Sequence, residues 1–241
     1  MVLALDSSTW VLSLALLHEG QVLSARCFGP PQRSSVLLPE AAFEMLEKQG
    51  VEAAQLQGIA VGLGPGSFTG LRVGLSVAKA LAYAASLPLA GVSSLKAQAL
   101  EGPPGQPVWA TGVFRRGEVF AGLFLSTPEG EVQTLEAERV WGVAELAGRL
   151  KASPRTVALG FGIHSFREAF VAEGVPPGQL LDFPSWPSAA AIGRLARLGP
   201  FEKEALFALA PSYLRGSGAE ENPRFAQEKA QSLTVKKEEA S

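Results

Sequence analysis

Apolar positions in this chain form short runs near its start and longer helical runs after them, and that order then repeats. The runs at 2–5 (VLAL), 11–17 (VLSLALL) and 21–28 (QVLSARCF) are rich in β-branched and apolar residues. Turn signals at 6–9 and 19–20 separate them, which predicts a three-strand meander. After Gly29-Pro30-Pro31 a helical pattern runs from about 35 to 48 and stops at Gly50. A strand at 59–63, a long helix at 69–86, a strand at 89–92 and a capped helix at 93–100 complete the first series. The prolines and glycines of 101–107 continue neither element, so that stretch reads as a linker. The second series places strands at 108–114, 118–126 and 131–136, a helix at 141–152, a strand at 156–160 and a helix at 164–174. Further helices at 188–198 and 202–209 precede the closing PSYLRG at 211–216.

Three strands, helix, strand, helix, occurring twice, describe a duplicated α/β chain with a mixed sheet in each half. The expected division is an N-terminal subdomain at 1–104, a C-terminal subdomain at 105–215 and a polar, charged, flexible tail at 216–241. That matches the two-subdomain actin-like/Hsp70-like ATPase fold, a duplicated RNase H-like βββαβα unit, and the analogy carries no activity with it.

The stretch at 62–88, GLGPGSFTGLRVGLSVAKALAYAASLP, organises the first half. Ser67 and Thr69 are good N-caps, and no proline interrupts 69–86. At roughly 100° per residue Arg72, Ser76, Lys79 and Tyr83 share one narrow stripe, and nearly everything else is apolar or small. The apolar arc of about 220° exceeds the roughly 100° an ordinary surface helix needs, so a second surface is expected to cover it, from this chain or from another. Leu71, Leu75, Ala78 and Ala82 lie on one side, with Val73, Val77 and Ala84 on the other, and the pattern does not say which side meets the sheet.

Composition narrows the classes. Hydrophobic residues are 47 % and charged residues 18 %, below the roughly 25 % of an average soluble protein, so much of the chain is expected to be buried. With 21 basic against 23 acidic residues and no Lys/Arg cluster, nothing in the linear sequence grips nucleic acid unaided. The longest uncharged run, 80–95, holds Pro88, Gly91 and three serines and is no membrane span. A soluble, cytoplasmic protein is expected. The single Cys27 excludes an internal disulfide and reads as a small buried hydrophobe.

Candidate chemistry is sparse. The turn GLGPGSFTGLR offers glycines before a helix, as anion sites do, but fits neither GxxxxGK[ST] nor the dinucleotide fingerprint. It reads instead as a turn that lets the helix dock close to its neighbours. Asp6 follows the first strand, where actin-like ATPases place an acid near Mg²⁺. The equivalent stretch of the second half, ATGVF, offers Val113 where a second acid would help, and Asp6 alone suits turn capping. For His164 and Ser165 no GxSxG elbow strengthens a reading of nucleophilic catalysis. Arg115 and Arg116 form a paired cationic hairpin tip. An alternative reading is a stand-alone ATPase or small-molecule kinase built on Asp6 and the Gly64–Gly70 turn.

With these residues in place, the chain resembles the TsaB (YeaZ) family over roughly 2–215. The most specific piece is GPGSFTGLRVG (64–74), followed by LPLAGVSSL (87–95). LALDSST (3–9), LLPE (37–40), RRGEVF (115–120), PSAAAIGRLA (187–196) and PSYLR (211–215) support it. The resemblance implies an actin-like fold degenerate for ATP binding, with no cofactor of its own. It implies a non-catalytic scaffold in making tRNA threonylcarbamoyladenosine, paired with the catalytic subunit TsaD and joined by the ATPase TsaE, with tRNA met through the complex. In isolation, a homodimer through the same surface is expected. The predicted interface takes Leu71, Arg72, Leu75, Ala78, Lys79 and Ala82 from the long helix, with Leu38, Ala42 and Met45 from the helix before it. Related catalytic subunits hold a metal with HxxxH, whereas PPQRSS before LLPE has no histidine, so no metal and no catalytic residue are expected.

Overall fold

The computed structural model describes residues 1–29, 34–181 and 185–214. The tail expected at 216–241 and the Arg33 position before LLPE lie outside the described residues. A five-stranded sheet of order β3-β2-β1-β4-β5 and a four-stranded sheet of order β8-β7-β6-β9 form the two halves. In the first, β1 (Val2–Asp6), β2 (Leu12–His18) and β3 (Gln21–Phe28) pair antiparallel, while β4 (Gly58–Gly62) and β5 (Leu89–Val92) add in parallel. In the second, β6 (Pro107–Arg115), β7 (Glu118–Ser126) and β8 (Val132–Gly142) form the meander and β9 (Val157–Gly160) the parallel addition. A parallel bridge from Ala158 to Leu180 stands where a fifth strand would be. Both halves thus repeat the three-strand, helix, strand, helix order that the sequence predicts.

Strand alternation decides what each face carries. Leu3, Leu5, Leu14 and Leu16 point to one side of the first sheet, against α1 (Ser34–Lys48) and α2 (Phe68–Ala84). Ala4, Ala15 and Ala60 point to the other, against α3 (Ser94–Ala99) and α6 (Ala189–Leu195). Small residues there let α6 come close, and a Cβ on Gly193 would stand 2.4 Å from Leu17 Cδ1. The second sheet buries Trp109, Val119 and Trp141 under α4 (Val143–Ala152) and α5 (Phe161–Ala172), with the two indoles edge to face at 5.0 Å. Its other face, with Val108, Ala110, Phe120 and Phe124, is covered by α3.

Each half therefore lends a late helix to the other. Helix α3 follows the first sheet in sequence yet packs on β6, β7 and β8, while α6 packs on β1 and β2. Helix α7 (Lys203–Ala208) also returns to the first half, where Leu206 joins the α1–α2 core and α7 flanks α2. The stretch 105–215 is thus divided between both sheets.

Two expectations are corrected here. Cys27 is exposed rather than buried, because β3 is the edge strand of its sheet; its Sγ lies 3.8 Å from Ser13 Oγ. The helix expected to begin at 141 begins two residues later, because β8 runs on through Gly142 and Trp141 enters the sheet core.

Candidate functional site

Strand β1 ends on Asp6, which is fully enclosed. Its Oδ1 accepts from Ser8 N at 2.9 Å and Ser8 Oγ at 2.7 Å, closing the turn that an aspartate at a strand end favours. Its Oδ2 accepts from Ser94 Oγ at 2.6 Å, and Ser94 Oγ accepts in turn from Gly64 N at 3.0 Å. Burial pushes the Asp6 carboxyl above its ordinary range, and the hydrogen bonds from Ser94 and Ser8 offset part of that rise.

The glycine-rich turn closes around this residue. Ser67 N donates to Ser8 O at 2.7 Å, Ser7 Oγ donates to Gly70 O at 2.8 Å, and Gly70 N donates to Ser67 Oγ at 3.2 Å. A Cβ on Gly66 would stand 2.1 Å from Ser8 O, one on Gly70 2.1 Å from Ser7 O, and one on Gly74 2.1 Å from Ser7 Oγ. The motif spaces its glycines one helical turn apart so that α2 can lie against the Ser7–Ser8 backbone. The N–H groups of Gly64, Ser67 and Gly70 are already engaged within the chain. Neither Asp6 oxygen faces solvent; both accept hydrogen bonds from within the chain. Among the described residues no group of three His, Cys, Asp or Glu could hold a metal ion.

Register corrects the Val113 assignment. Leu5 pairs with Val61 ahead of Gly62 at the end of β4, and Thr111 pairs with Gly160 at the end of β9. Thr111, not Val113, is therefore the counterpart of Asp6. Its hydroxyl donates to Leu159 O at 2.7 Å and accepts from Ile163 N at 3.0 Å, tying β9 to the start of α5. Over the top of the two strands Trp10 meets Phe161 with ring centroids 4.4 Å apart. His164 lies one turn inside α5 on its exposed side. Arg115 Nε pairs with Glu118 at 2.5 Å.

The helix pair is the other candidate surface, and most of its predicted contact list moves inward. Leu71, Leu75, Ala78, Ala82, Leu38, Ala42 and Met45 are all buried within the chain. Helix α1 covers one flank of α2, and the 203–213 segment covers the other, which supplies the second surface that the wide apolar arc demanded. Arg72 is exposed and Lys79 half-buried. What faces outward is a set the sequence reading missed or left open. Phe43 is 63 % exposed and Val36, two turns earlier on α1, is 52 % exposed. Beside them on α2, Ala80 and Ala84 are exposed and Val73 and Val77 half-buried. A narrow apolar cavity of about 50 Å³ opens next to Phe43, lined by Leu46, Leu56, Leu81 and Ala85.

Residues 31–138 match the family model of TsaD, tRNA N6-adenosine threonylcarbamoyltransferase. The chain is 34 % identical over 125 residues to the tRNA threonylcarbamoyladenosine biosynthesis protein TsaB of Bacillus subtilis, covering 51 % of this chain and 54 % of that protein. It is 37 % identical over 98 residues to the Escherichia coli protein of the same name, covering 41 % of this chain and 42 % of that one. These matches span about half the length of the curated relatives or less. A Pseudomonas aeruginosa structure described as an uncharacterised protein similar to peptidase YEAZ superposes with a TM-score of 0.71 at 28 % identity, over 89 % of this chain and 99 % of that one. YeaZ from the same organism gives 0.69 at 29 % identity, over 88 % and 98 %.

Proposed function

We propose, from its likeness to the TsaB proteins and YeaZ structures, that the chain is a member of the TsaB (YeaZ) family and serves tRNA threonylcarbamoyladenosine synthesis as a non-catalytic subunit. It pairs with a TsaD-type transferase through the outward face of α1 and α2. The carrying observation is the solvent-facing Phe43 and Val36 beside the small, mildly apolar residues of α2. Large rings held out of the core on a rigid helix are the usual anchors of a protein interface. The enclosure of Asp6 and the engaged glycine turn support a supporting role rather than nucleotide chemistry. In the absence of the transferase the same face pairs two copies, since an isologous contact covers it equally.

Phe43→Glu tests the reading. The side chain lies mostly in solvent, so folding measured by circular dichroism should be unchanged. Co-elution with the TsaD-type subunit on gel filtration should fall by at least about tenfold in affinity, the loss of one interface anchor of about 2 kcal/mol. Undiminished pairing by Phe43→Glu together with Ala80→Glu removes α1–α2 as the contact.

A further inference from the structure

The opposite flank of α2 carries a different chemistry. Helix α2 contains no acidic residue, and its Arg72 and Lys79 emerge beside the 203–213 segment. Arg72 Nε donates to Tyr213 Oη at 3.1 Å while its guanidinium lies 4.0 Å above the Phe68 ring. Lys79 Nζ donates to Phe207 O at 2.8 Å. Lys203 Nζ stands 5.3 Å over the Tyr83 ring. The rings form two pairs, Phe68 with Tyr213 at 5.2 Å and Tyr83 with Phe207 at 5.6 Å. Each of the four remains between 38 % and 54 % exposed.

Among the described residues none of these three cations has a carboxylate within ion-pair distance, whereas Arg26, Arg115, Arg139, Arg149 and Arg197 all do. Glu202 and Glu204 flank Lys203 and are the acids adjoining it in sequence. At about 1.5 Å per residue, Phe68 and Tyr83 stand about 22 Å apart along the helix. The result is a ridge with an aromatic pair at each end and unneutralised positive charge between and beside them. Backbone-tracking cations interleaved with stacking rings are what single-stranded nucleic acid recognises, and an acidic peptide would make no use of the rings.

We infer that the ridge of α2 and the 203–213 segment docks an unpaired stretch of RNA. The choice of RNA over DNA rests on the threonylcarbamoyladenosine reading; the surface chemistry does not. Arg72 and Lys79 then belong to RNA contact, and pairing with the transferase is left to the Phe43 side.

The test uses the full chain and a fluorescein-labelled oligouridylate, read by anisotropy, with a labelled RNA hairpin duplex as control. Wild type should bind the single strand with a Kd at or below about 100 μM, within the span of weak sequence-independent nucleic-acid binding. Arg72→Glu/Lys79→Glu should weaken binding at least tenfold, and Tyr83→Ala should weaken it by about fivefold or more, the loss of one stacked base. Each cation removed by substitution to Gln should shrink the salt slope by about 0.7. If the double reversal melts early, Lys203→Glu, whose ammonium only rests over a ring, reports the same charge. No binding at about 100 μM, variants that bind like wild type, or equal affinity for the duplex overturns the inference. So does loss of pairing with the transferase in Arg72→Glu/Lys79→Glu, which would assign these cations to the protein interface. Pairing is scored on the Phe43 variants separately, so the ridge can fail while the subunit role stands.

Discussion

Replacing Asp6 by Ala and by Asn separates its hydrogen bonding from its charge. Alanine removes the acceptor for Ser8 N, Ser8 Oγ and Ser94 Oγ together. A buried donor without a partner costs about 1–3 kcal/mol, and the hydroxyls recover part of this by rotating, so a loss of about 3–5 kcal/mol is expected. At about 2–4 °C per kcal/mol for a chain of this size, the melting temperature should fall by about 10 °C. Asparagine keeps one oxygen for Ser8 and should cost about 1–2 kcal/mol, but it cannot titrate. Burial raises the native carboxyl above the unfolded value of about 4, so the native state keeps a proton that the unfolded state has lost. Its contribution is fully present below the unfolded value and is lost as pH rises through the native one. Urea unfolding across that range should therefore show wild type losing stability relative to Asp6→Asn as pH rises. Glu138, whose carboxyl burial also raises, is common to both proteins and cancels. Parallel pH curves, or an Asp6→Ala cost under about 1 kcal/mol, would refute the reasoning.

Two further substitutions test packing. Gly70→Ala, whose methyl would meet the Ser7 carbonyl, should cost about 1–3 kcal/mol or more in thermal melts, whereas Gly148→Ala, open on α4, should gain about 0.5–1 kcal/mol. Leu75→Ala should cost about 2–5 kcal/mol by chemical denaturation because the side chain lies in the α1–α2 core, while Phe43→Ala should stay within about 0.5 kcal/mol.

Element order was legible because strand and helix periods are local properties. The glycines of GPGSFTGLRVG announced a close approach, but their counterpart, the Ser7–Ser8 backbone, lies about sixty residues away and carries no pattern of its own. The breadth of the apolar arc on α2 was equally plain, and what covers it was not. Phe207 and Tyr213 meet Lys79 and Arg72 across 128 and 141 residues, and a helix wheel does not distinguish a neighbour from the same chain from a second molecule. Pattern alone therefore places Leu71, Leu75, Ala78 and Ala82 at a partner, whereas they face the chain's own core. Phe43 escaped notice because one outward ring among apolar neighbours looks the same in sequence as an inward one. Thr111 emerged only once strand register aligned the two halves. Cys27 followed general burial habits that an edge strand does not obey.

The crossing of α3 and α6 has a consequence for how the polypeptide matures on the ribosome. When the first sheet has left the exit tunnel, its Ala4, Ala15 and Ala60 face has only Ala97 of α3 near it until Ala189–Leu195 emerges. The early half must wait, partly uncovered on one side, for almost the whole of the later half to be made. Synthesis ends with a single late closure in place of two successive ones.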